Sequence, residues 1–239
     1  MRVEVVGLLL CSVLLAEPAS AYDPNDQNNC NGVEWNGKGA DWGDRRILVV
    51  AKVTAARVNF IKSPYDDDFK AEGCPAATNA CRMKSYLVTG DLVLVGKAQE
   101  AFTCVAYQSP LAKKQIWVTG WLPSAALAPV SPMRSPKVSD WIGAWYHPGG
   151  SIEIKDGSVG KLNIEAGMTV PTLHDFHNGD FRAKVTPPES DTIALTDEGD
   201  YGDGCQVRMQ RIGPWLLAED NGGCGGVGVT FTGLYRSKQ

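Results

Sequence analysis

The sequence has no excess of basic residues, and it contains little histidine. Its 23 Lys and Arg are outnumbered by 27 Asp and Glu, which gives a formal net charge of −4, and only three residues are His. Proteins that bind nucleic acid contact the phosphates through clustered Lys and Arg. The composition therefore argues against a nucleic-acid-binding protein. No Cys-x2-Cys or paired Cys/His spacing occurs either, which argues against structural zinc.

Long hydrophobic runs are missing outside the N-terminal region. Residues 1–21 combine Arg2, an apolar run from Val5 to Leu15 and the small residues Ala19-Ser20-Ala21. This order is typical of a removable export signal, and the apolar run is much shorter than the roughly 20 residues of a membrane-spanning helix. We therefore expect a periplasmic or secreted protein with no transmembrane segment after signal removal.

Cysteine is present in an even number once the predicted signal, which contains Cys11, is set aside. An even set in an exported protein predicts disulfides, here three of them. Cys205 and Cys224 lie in the second half of the chain and are expected to pair with each other, since they flank a predicted hairpin. The other four allow several pairings, of which Cys74 with Cys81 and Cys30 with Cys104 are favoured. The six residues are Cys30, Cys74, Cys81, Cys104, Cys205 and Cys224.

Extended helical periodicity is missing as well. Short alternating apolar runs are broken by Gly, Asn, Asp and Pro, which predicts an all-β protein. The three prolines of Pro129, Pro132 and Pro136 indicate a semi-rigid linker. The predicted organisation is a signal peptide (1–21), a polar lead-in (22–46), a first domain (47–128), a linker (129–139) and a second domain (140–239).

The first domain is predicted to contain five short strands, which is the size of a small barrel. The runs are 47–54, 57–61, 91–96, 102–107 and 116–122. The turn Gly90-Asp91 before an alternating strand, and the closing Gly120-Trp121, resemble the bacterial SH3 family. The resemblance covers about residues 47–128 and implies an SH3-like small barrel that engages cell-wall peptide or a protein partner. Ile61 stands where that family usually has Arg, and the insert 65–82 departs from its pattern.

The second domain is predicted to be an eight-stranded antiparallel β-barrel. Its candidate strands are 143–147, 151–155, 161–166, 181–186, 192–196, 205–211, 215–219 and 227–235. Closing such a meander removes exposed sheet edges. The opening Gly143-Ala-Trp145 and the late Arg236 resemble lipocalin-like barrels, which implies that Arg236 packs across Trp145. The tail from Cys205 to Arg236 is similar to exported proteins associated with lysozyme inhibitors.

Recognisable catalytic and cofactor motifs are lacking. No Gly-x-Ser-x-Gly nucleophile elbow occurs, and the cysteines are better used in disulfides than as thiolates. His174 and His177, with Asp175 and Asp180, could hold a metal but lie in a predicted turn. The acidic stretches 65–68 and 197–203 are predicted to be solvated turns, with Ca²⁺ at 197–203 as the open alternative. Gly223 to Gly228 fits a dinucleotide fingerprint only in spacing. The sequence thus predicts a non-enzyme without metal or cofactor.

Aromatic residues are the candidate binding groups. Trp35 and Trp42 in the lead-in, together with Tyr107 and Trp117, offer flat apolar anchors of the kind found at binding surfaces. The leading hypothesis is a non-catalytic envelope protein whose partner is cell-wall peptide or an envelope protein. One alternative is an inhibitor or immunity protein that blocks a wall-degrading enzyme through a loop such as 199–204. The other is an envelope hydrolase that uses Asp or Glu residues.

Overall fold

Two antiparallel β-sheets follow one another along the chain. The computed structural model describes residues 26–31, 48–69, 71, 73–109, 112, 116–186 and 191–237. The prediction of an all-β protein is confirmed: two four-residue α-helices, α1 (Asp66–Phe69) and α2 (Val138–Trp141), accompany fifteen strands in this part of the chain. No helix within these ranges is long and apolar enough to cross a membrane.

The first sheet has seven strands in the described chain, two more than predicted. They are β1 (Val49–Val53), β2 (Arg57–Ile61), β3 (Arg82–Val88), β4 (Leu92–Gln99), β5 (Phe102–Gln108), β6 (Trp117–Pro123) and β7 (Leu127–Val130). Their order in the sheet is β3-β2-β6-β5-β4-β1-β7. One face covers a core that includes Val53, Phe60 and Leu122. Strands β3 and β7 are the ones that the sequence did not predict.

The second sheet forms the nearly closed eight-stranded barrel that was predicted. Its strands are β8 (Gly143–His147), β9 (Gly150–Asp156), β10 (Leu162–Pro171), β11 (Phe176–Val185), β12 (Thr192–Thr196), β13 (Gln206–Ile212), β14 (Trp215–Asp220) and β15 (Gly233–Ser237), in the order β11-β10-β9-β8-β15-β14-β13-β12. Strands β11 and β12 meet where Asp197 accepts the Arg182 amide at 2.9 Å and the Glu198 amide donates to the Arg182 carbonyl at 2.8 Å. Buried side chains fill the interior. Among them are Phe181 and Phe231, whose ring centroids lie 4.8 Å apart.

The three disulfides have the pairings that were favoured from the sequence. Cys30–Cys104 ties the N-terminal segment to β5, and Cys74–Cys81 closes a loop of the insert before β3. Cys205–Cys224 joins the start of β13 to the loop after β14. Disulfides of this kind are compatible with an exported protein.

An arginine does pack over Trp145, but it is Arg211 and not Arg236. The Arg211 guanidinium lies 4.3 Å from the Trp145 ring centroid and donates to the carbonyl oxygens of Trp215, Gly213 and Asp140. Arg236 is exposed. It follows Tyr235, whose side chain points into the barrel, and successive strand residues point to opposite faces. The role that the lipocalin resemblance implied for Arg236 is therefore wrong.

The segment predicted as a linker is attached to both sheets. It begins inside β7, where Pro129 pairs with Ala51, and it ends inside α2. Between these elements the Met133 amide donates to the Arg211 carbonyl at 2.7 Å. Trp141 at the end of α2 is fully buried in the barrel core. The two sheets are therefore joined by a chain with fixed contacts at both ends.

The outer faces of the two sheets pack directly against each other. Val50, Leu94 and Ala106 of the first sheet form one buried cluster with Ile212 and Leu217 of the second. Beside this cluster, Arg208 pairs with Glu219 at 3.2 Å, and the same carboxylate accepts the Leu48 amide at 3.4 Å. The contact is therefore an apolar patch with a buried ion pair at its side.

Candidate functional site

An opening in the described part of the chain lies at one end of the first sheet. It has a volume of about 470 Å³, which is within the range of small-ligand sites. Four pieces of chain form it: the N-terminal segment 26–31, the residues 64–65 after β2, the segment 73–75 at the start of the Cys74–Cys81 loop, and the turn between β4 and β5. Its lining comprises Asp26, Asn28, Pro64, Tyr65, Gly73, Cys74, Pro75, Gln99, Glu100 and Phe102. We call this opening the N-terminal cleft.

The N-terminal wall of the cleft is fixed by hydrogen bonds to the sheet. Buried Trp121 donates its indole N–H to the Asn28 carbonyl at 2.8 Å. The Cys30 amide donates to the Ser63 hydroxyl at 2.9 Å, and Lys97 donates to the Asp26 carbonyl at 3.1 Å. Together with the Cys30–Cys104 bridge, these contacts make the wall a preformed part of the site.

The two carboxylates of the cleft have different surroundings. Asp26 accepts the Asn28 amide at 2.8 Å through one oxygen and the Tyr65 hydroxyl at 3.0 Å through the other. Glu100 lies at the tip of the β4–β5 turn and is exposed. Its backbone has a φ of 49°, in the left-handed region that non-glycine residues seldom occupy. Asp26 is thus a structural acceptor, whereas Glu100 is an exposed carboxylate at the rim of the cleft.

The predicted aromatic anchors do not come together in the described part of the protein. Trp35 and Trp42 lie outside the described residues. Tyr107 packs against the core of the first sheet and donates to Asp91 at 3.5 Å; burial, followed by the Asp91 charge, raises the pKa of its phenol. Trp117 is part of the cluster between the two sheets, with its ring 6.3 Å from that of His147. Tyr107 and Trp117 thus belong to two different packing clusters.

In the acidic turn 197–203, the carboxylate of Asp197 accepts hydrogen bonds from the protein backbone. Asp197 is buried and accepts the backbone N–H groups of Arg182 and Tyr201 at 2.9 and 3.0 Å. Burial acts to raise the pKa of Asp197, but these and two further backbone hydrogen bonds outweigh it, so the pKa is lowered. Among the residues that the structure describes, no group of three His, Cys, Asp or Glu could hold a metal ion.

The glycines of 223–228 permit close packing of backbones. A Cβ on Gly223 would collide with the Gly204 carbonyl, and one on Gly225 would crowd Gly179, with which it forms an isolated bridge. The segment thus docks against β11. His177 contacts the Val227 carbonyl through Nδ1, and the Gly226 amide donates to the Asn178 carbonyl at 3.2 Å.

The hairpin of β10 and β11 ends in an exposed apolar tip. Leu173 in the turn is 93% exposed, Phe176 is 60% exposed, and Val227 in the docked loop is 84% exposed. The turn is nevertheless ordered: Thr172 donates its amide and its hydroxyl to the Asp175 carbonyl at 2.8 and 2.9 Å. We call these three residues the hairpin tip. Large apolar side chains gathered on a fixed turn are typical of interaction sites.

A buried histidine lies where the barrel meets the first sheet. His147 stacks on Tyr235 at 4.8 Å, and neither ring nitrogen makes a hydrogen bond of normal geometry within the described chain. Burial lowers the pKa of His147 to about 4, and the Pro148 backbone offsets only part of this shift. The imidazole is therefore neutral at physiological pH and serves packing.

Several residues of the cleft and the tip were not recognised from the sequence. Tyr65 was treated only as part of a solvated acidic turn, Phe102 only as the first residue of a predicted strand, and Glu100 carried no motif. The one available signal was the Cys74–Cys81 insert, which departs from the SH3 pattern at the place where the cleft forms. Comparison with protein families, with curated proteins and with solved structures finds no match to this chain.

Proposed function

We propose that the protein is an exported, non-catalytic envelope protein that binds cell-wall peptide in the N-terminal cleft. The observation that carries this proposal is the cleft itself: about 470 Å³, with a fixed wall and an exposed carboxylate at its rim. The predicted export signal and the three disulfides support an extracytoplasmic location. The resemblance of residues 47–128 to the bacterial SH3 family supports wall peptide as the ligand class.

The chemistry of the cleft favours a peptide that carries a free amino group. Glu100 supplies negative charge, and Gln99 supplies an amide that both donates and accepts hydrogen bonds. Pro64, Pro75 and Phe102 offer apolar surface for short aliphatic side chains. The short stem peptides of the bacterial wall combine amino, carboxyl and small aliphatic groups, and a polar cleft with apolar walls is suited to them.

The same geometry supports binding rather than hydrolysis. A carboxylate hydrolase needs two acidic groups, of which one acts as the proton donor. Both oxygens of Asp26 accept hydrogen bonds from the protein, so this carboxylate is held as part of the wall. That leaves Glu100 as the exposed acid among the described residues of the cleft.

A sacculus pull-down tests the proposal. The mature protein is mixed with purified sacculi, and the bound fraction is compared for wild type, Glu100→Gln and Glu165→Gln. Glu165 is an exposed acid on the barrel and serves as the matched control. We expect retention of wild type and the control and a loss of about tenfold for Glu100→Gln, the size of one charged hydrogen bond. No retention of wild type, or equal retention of all three, contradicts the proposal. Release of soluble fragments by the protein alone would indicate the hydrolase alternative.

The hairpin tip favours a second candidate function, inhibition of a wall-degrading enzyme. Its apolar residues are fixed on a projecting turn, which suits insertion into a substrate groove. This location replaces the loop 199–204, whose Tyr201 amide donates to the Asp197 carboxylate and holds the loop against the barrel. Lysozyme activity on peptidoglycan is measured with excess wild type, Leu173→Ser and Val138→Ser, an exposed apolar control in α2. Inhibition that only Leu173→Ser abolishes supports this function, and unchanged hydrolysis with wild type rules it out for this enzyme.

A further inference from the structure

Positive charge is concentrated on one part of the first sheet although the chain is acidic overall. Residues 48–65 and 73–90 contain five Lys and Arg and no Asp or Glu. These two stretches hold β1, β2 and β3. The stretch between them, 66–72, contains four Asp and Glu, and Asp67 there pairs with Lys62, so the positive excess is local to the strands themselves.

Alternate residues of β3 point to solvent and carry two of these five positive charges. Arg82, Lys84 and Tyr86 are exposed, whereas Leu87 is buried in the core. Successive side chains on one face of a strand are about 7 Å apart, so the cations of β3 form a row along the strand. The register places Asn59 of β2 opposite Tyr86 and Arg57 opposite Val88. Arg57 therefore extends the same outer face.

Arg57 and Tyr86 form an ordered pair on this face. The guanidinium carbon lies 3.7 Å from the centre of the Tyr86 ring, and 48% of Tyr86 remains exposed. A guanidinium stacked on an aromatic ring is oriented while its N–H donors stay available for carboxylate or phosphate. Among the described residues, the ion pairs involve Lys62, Lys155, Arg182 and Arg208, and not Arg57, Arg82 or Lys84.

We propose that Arg57, Arg82, Lys84 and Tyr86, the β2–β3 basic face, bind an anionic polysaccharide. Positive charges spaced along the strand suit a ligand with repeated negative charges, because a single small anion could contact only one or two of them. The exposed Tyr86 ring adds an apolar surface on which the face of a sugar ring can stack. This ligand and surface differ from those of the N-terminal cleft, so the two proposals stand or fall separately.

A different explanation of the same charges has to be separated by experiment. β3 is an edge strand of the first sheet, and charged side chains on edge strands prevent unwanted pairing between molecules. That role requires charge alone. Polysaccharide binding additionally requires Tyr86 and predicts a preference for sugar polymers over other polyanions.

Affinity electrophoresis with soluble polymers tests the proposal on the mature protein. Native gels contain alginate, polyphosphate or uncharged dextran, and the variants are Arg57→Ser/Lys84→Ser and Tyr86→Ser. The double variant Lys161→Ser/Arg236→Ser removes the same charge from exposed positions on the barrel and is the control. We expect alginate to retard wild type and the control, and each variant of the basic face to bind about tenfold more weakly. Retardation should decrease with added salt.

Each of the following results would overturn the proposal. The first is no retardation of wild type by alginate at low salt. The second is an equal loss of binding in the control double variant, which would mean that net charge is responsible. The third is unchanged alginate binding by the folded Arg57→Ser/Lys84→Ser or Tyr86→Ser variant, or equally strong binding of polyphosphate. Circular dichroism and size exclusion establish that each variant is folded, and association of the double variant with intact alginate binding would identify the edge-protection role.

Discussion

His147 shows how one buried residue makes stability depend on pH. Its ring is stacked on Tyr235 and surrounded by protein at the junction of the two sheets. Gly233 makes room for it, because a Cβ at that position would collide with the imidazole. Protonation would place an ion in this environment, and burial of an unpaired ion is unfavourable.

We expect the free energy of unfolding to decrease in acid because of His147. The pKa of a histidine in the unfolded chain is about 6.5, and in the folded protein that of His147 is about 4. As the pH falls, the unfolded state therefore binds the proton first. The contribution of neutral His147 to the free energy of unfolding is complete above pH 6.5 and is lost as the pH falls to about 4. The difference amounts to about 3 kcal/mol. Urea unfolding from pH 8 to pH 4 measures it.

A comparison of variants isolates the contribution of His147. His147→Phe keeps an aromatic ring and removes the titration, so its stability curve should be flatter than that of wild type over this pH range. His174→Phe makes the same substitution at an exposed histidine in the β10–β11 turn and is the matched control. Equal slopes for wild type and His147→Phe would show that other groups cause the acid loss.

Variants of Arg211 and Arg236 test directly which arginine packs over Trp145 and stabilises the barrel. Arg211→Met keeps the aliphatic packing on Trp145 but removes donors to three carbonyl groups. Losing three hydrogen bonds from a charged donor to partly buried carbonyls is unfavourable, and we expect a loss of about 2 to 4 kcal/mol in the free energy of unfolding. Arg236→Met should change it by less than about 0.5 kcal/mol, since that side chain is exposed. Equal effects in chemical denaturation would contradict this assignment.

At the level of residues, the disulfide pairings predicted from the sequence are confirmed, whereas the arginine predicted to pack on Trp145 was the wrong one. For a chain with a predicted export signal, six cysteines imply three disulfides, and their placement in the chain limited the pairing. The position of Arg211 depends on which face each strand residue occupies near the Gly213-Pro214 turn. A register shift of one residue exchanges the two faces, and sequence pattern does not determine it at a turn.

At the level of elements, strands with alternating apolar and polar residues were found, and two atypical strands were missed. β2, β8 and β12 were predicted with the bounds that the structure has. β3 was missed because Arg82, Lys84 and Tyr86 make its outer face strongly polar. β7 was missed because Pro129 lies within it; proline is tolerated there since β7 is an edge strand.

The N-terminal cleft could not be predicted because it arises between elements that are distant in sequence. Asp26 and Tyr65 meet only after the N-terminal segment has folded back onto the first sheet. Glu100 joins them from the β4–β5 turn. The disulfides that support the walls were predicted, but the space that they enclose depends on loop paths for which the sequence carries no periodic signal.

The two disulfides of the first sheet should differ in their effects on stability and binding. Cys30–Cys104 closes a loop with a sequence separation of 74, and Cys74–Cys81 closes one of 7. The loss of chain entropy in the unfolded state gives about 4 kcal/mol for the long loop and about 2.5 kcal/mol for the short one. We therefore expect Cys30→Ala/Cys104→Ala to unfold at lower urea concentration than Cys74→Ala/Cys81→Ala. The reverse order would indicate that the N-terminal segment contributes little to the fold.

Ligand binding should show the contribution of the short disulfide loop to the cleft. Cys74 and Pro75 line the opening, so Cys74→Ala/Cys81→Ala is expected to weaken sacculus binding while the protein stays folded. Cys205 and Cys224 lie in the barrel, so binding by folded Cys205→Ala/Cys224→Ala should resemble wild type. Equal loss in both would mean that reduced stability, and not the cleft wall, explains the effect.

For the whole molecule, the sequence suggested two units on a semi-rigid linker, whereas the described chain has two sheets in contact. Apolar residues such as Leu94 and Leu217 alternate along their strands with residues of the sheet cores. In the sequence they therefore look like residues of a strand that is buried on both faces. Pattern alone does not reveal which second sheet covers them. An apolar contact of this kind couples neighbouring units more strongly than a linker does.

We expect the two sheets to unfold as one cooperative unit, and two adjacent leucines of β14 can test this. Leu216 points into the barrel and Leu217 into the contact between the sheets, and both are almost completely buried. Truncation of either should lower the free energy of unfolding by about 2 to 5 kcal/mol. Scanning calorimetry of wild type and Leu216→Ala should give one transition each, because the contact between the sheets is intact. Leu217→Ala weakens that contact, so its transition should broaden or split, and its van't Hoff enthalpy should fall below the calorimetric enthalpy. A single sharp transition in Leu217→Ala would mean that the linker segment and the Glu219–Leu48 hydrogen bond suffice for coupling, and two transitions in wild type would mean that the sheets unfold independently.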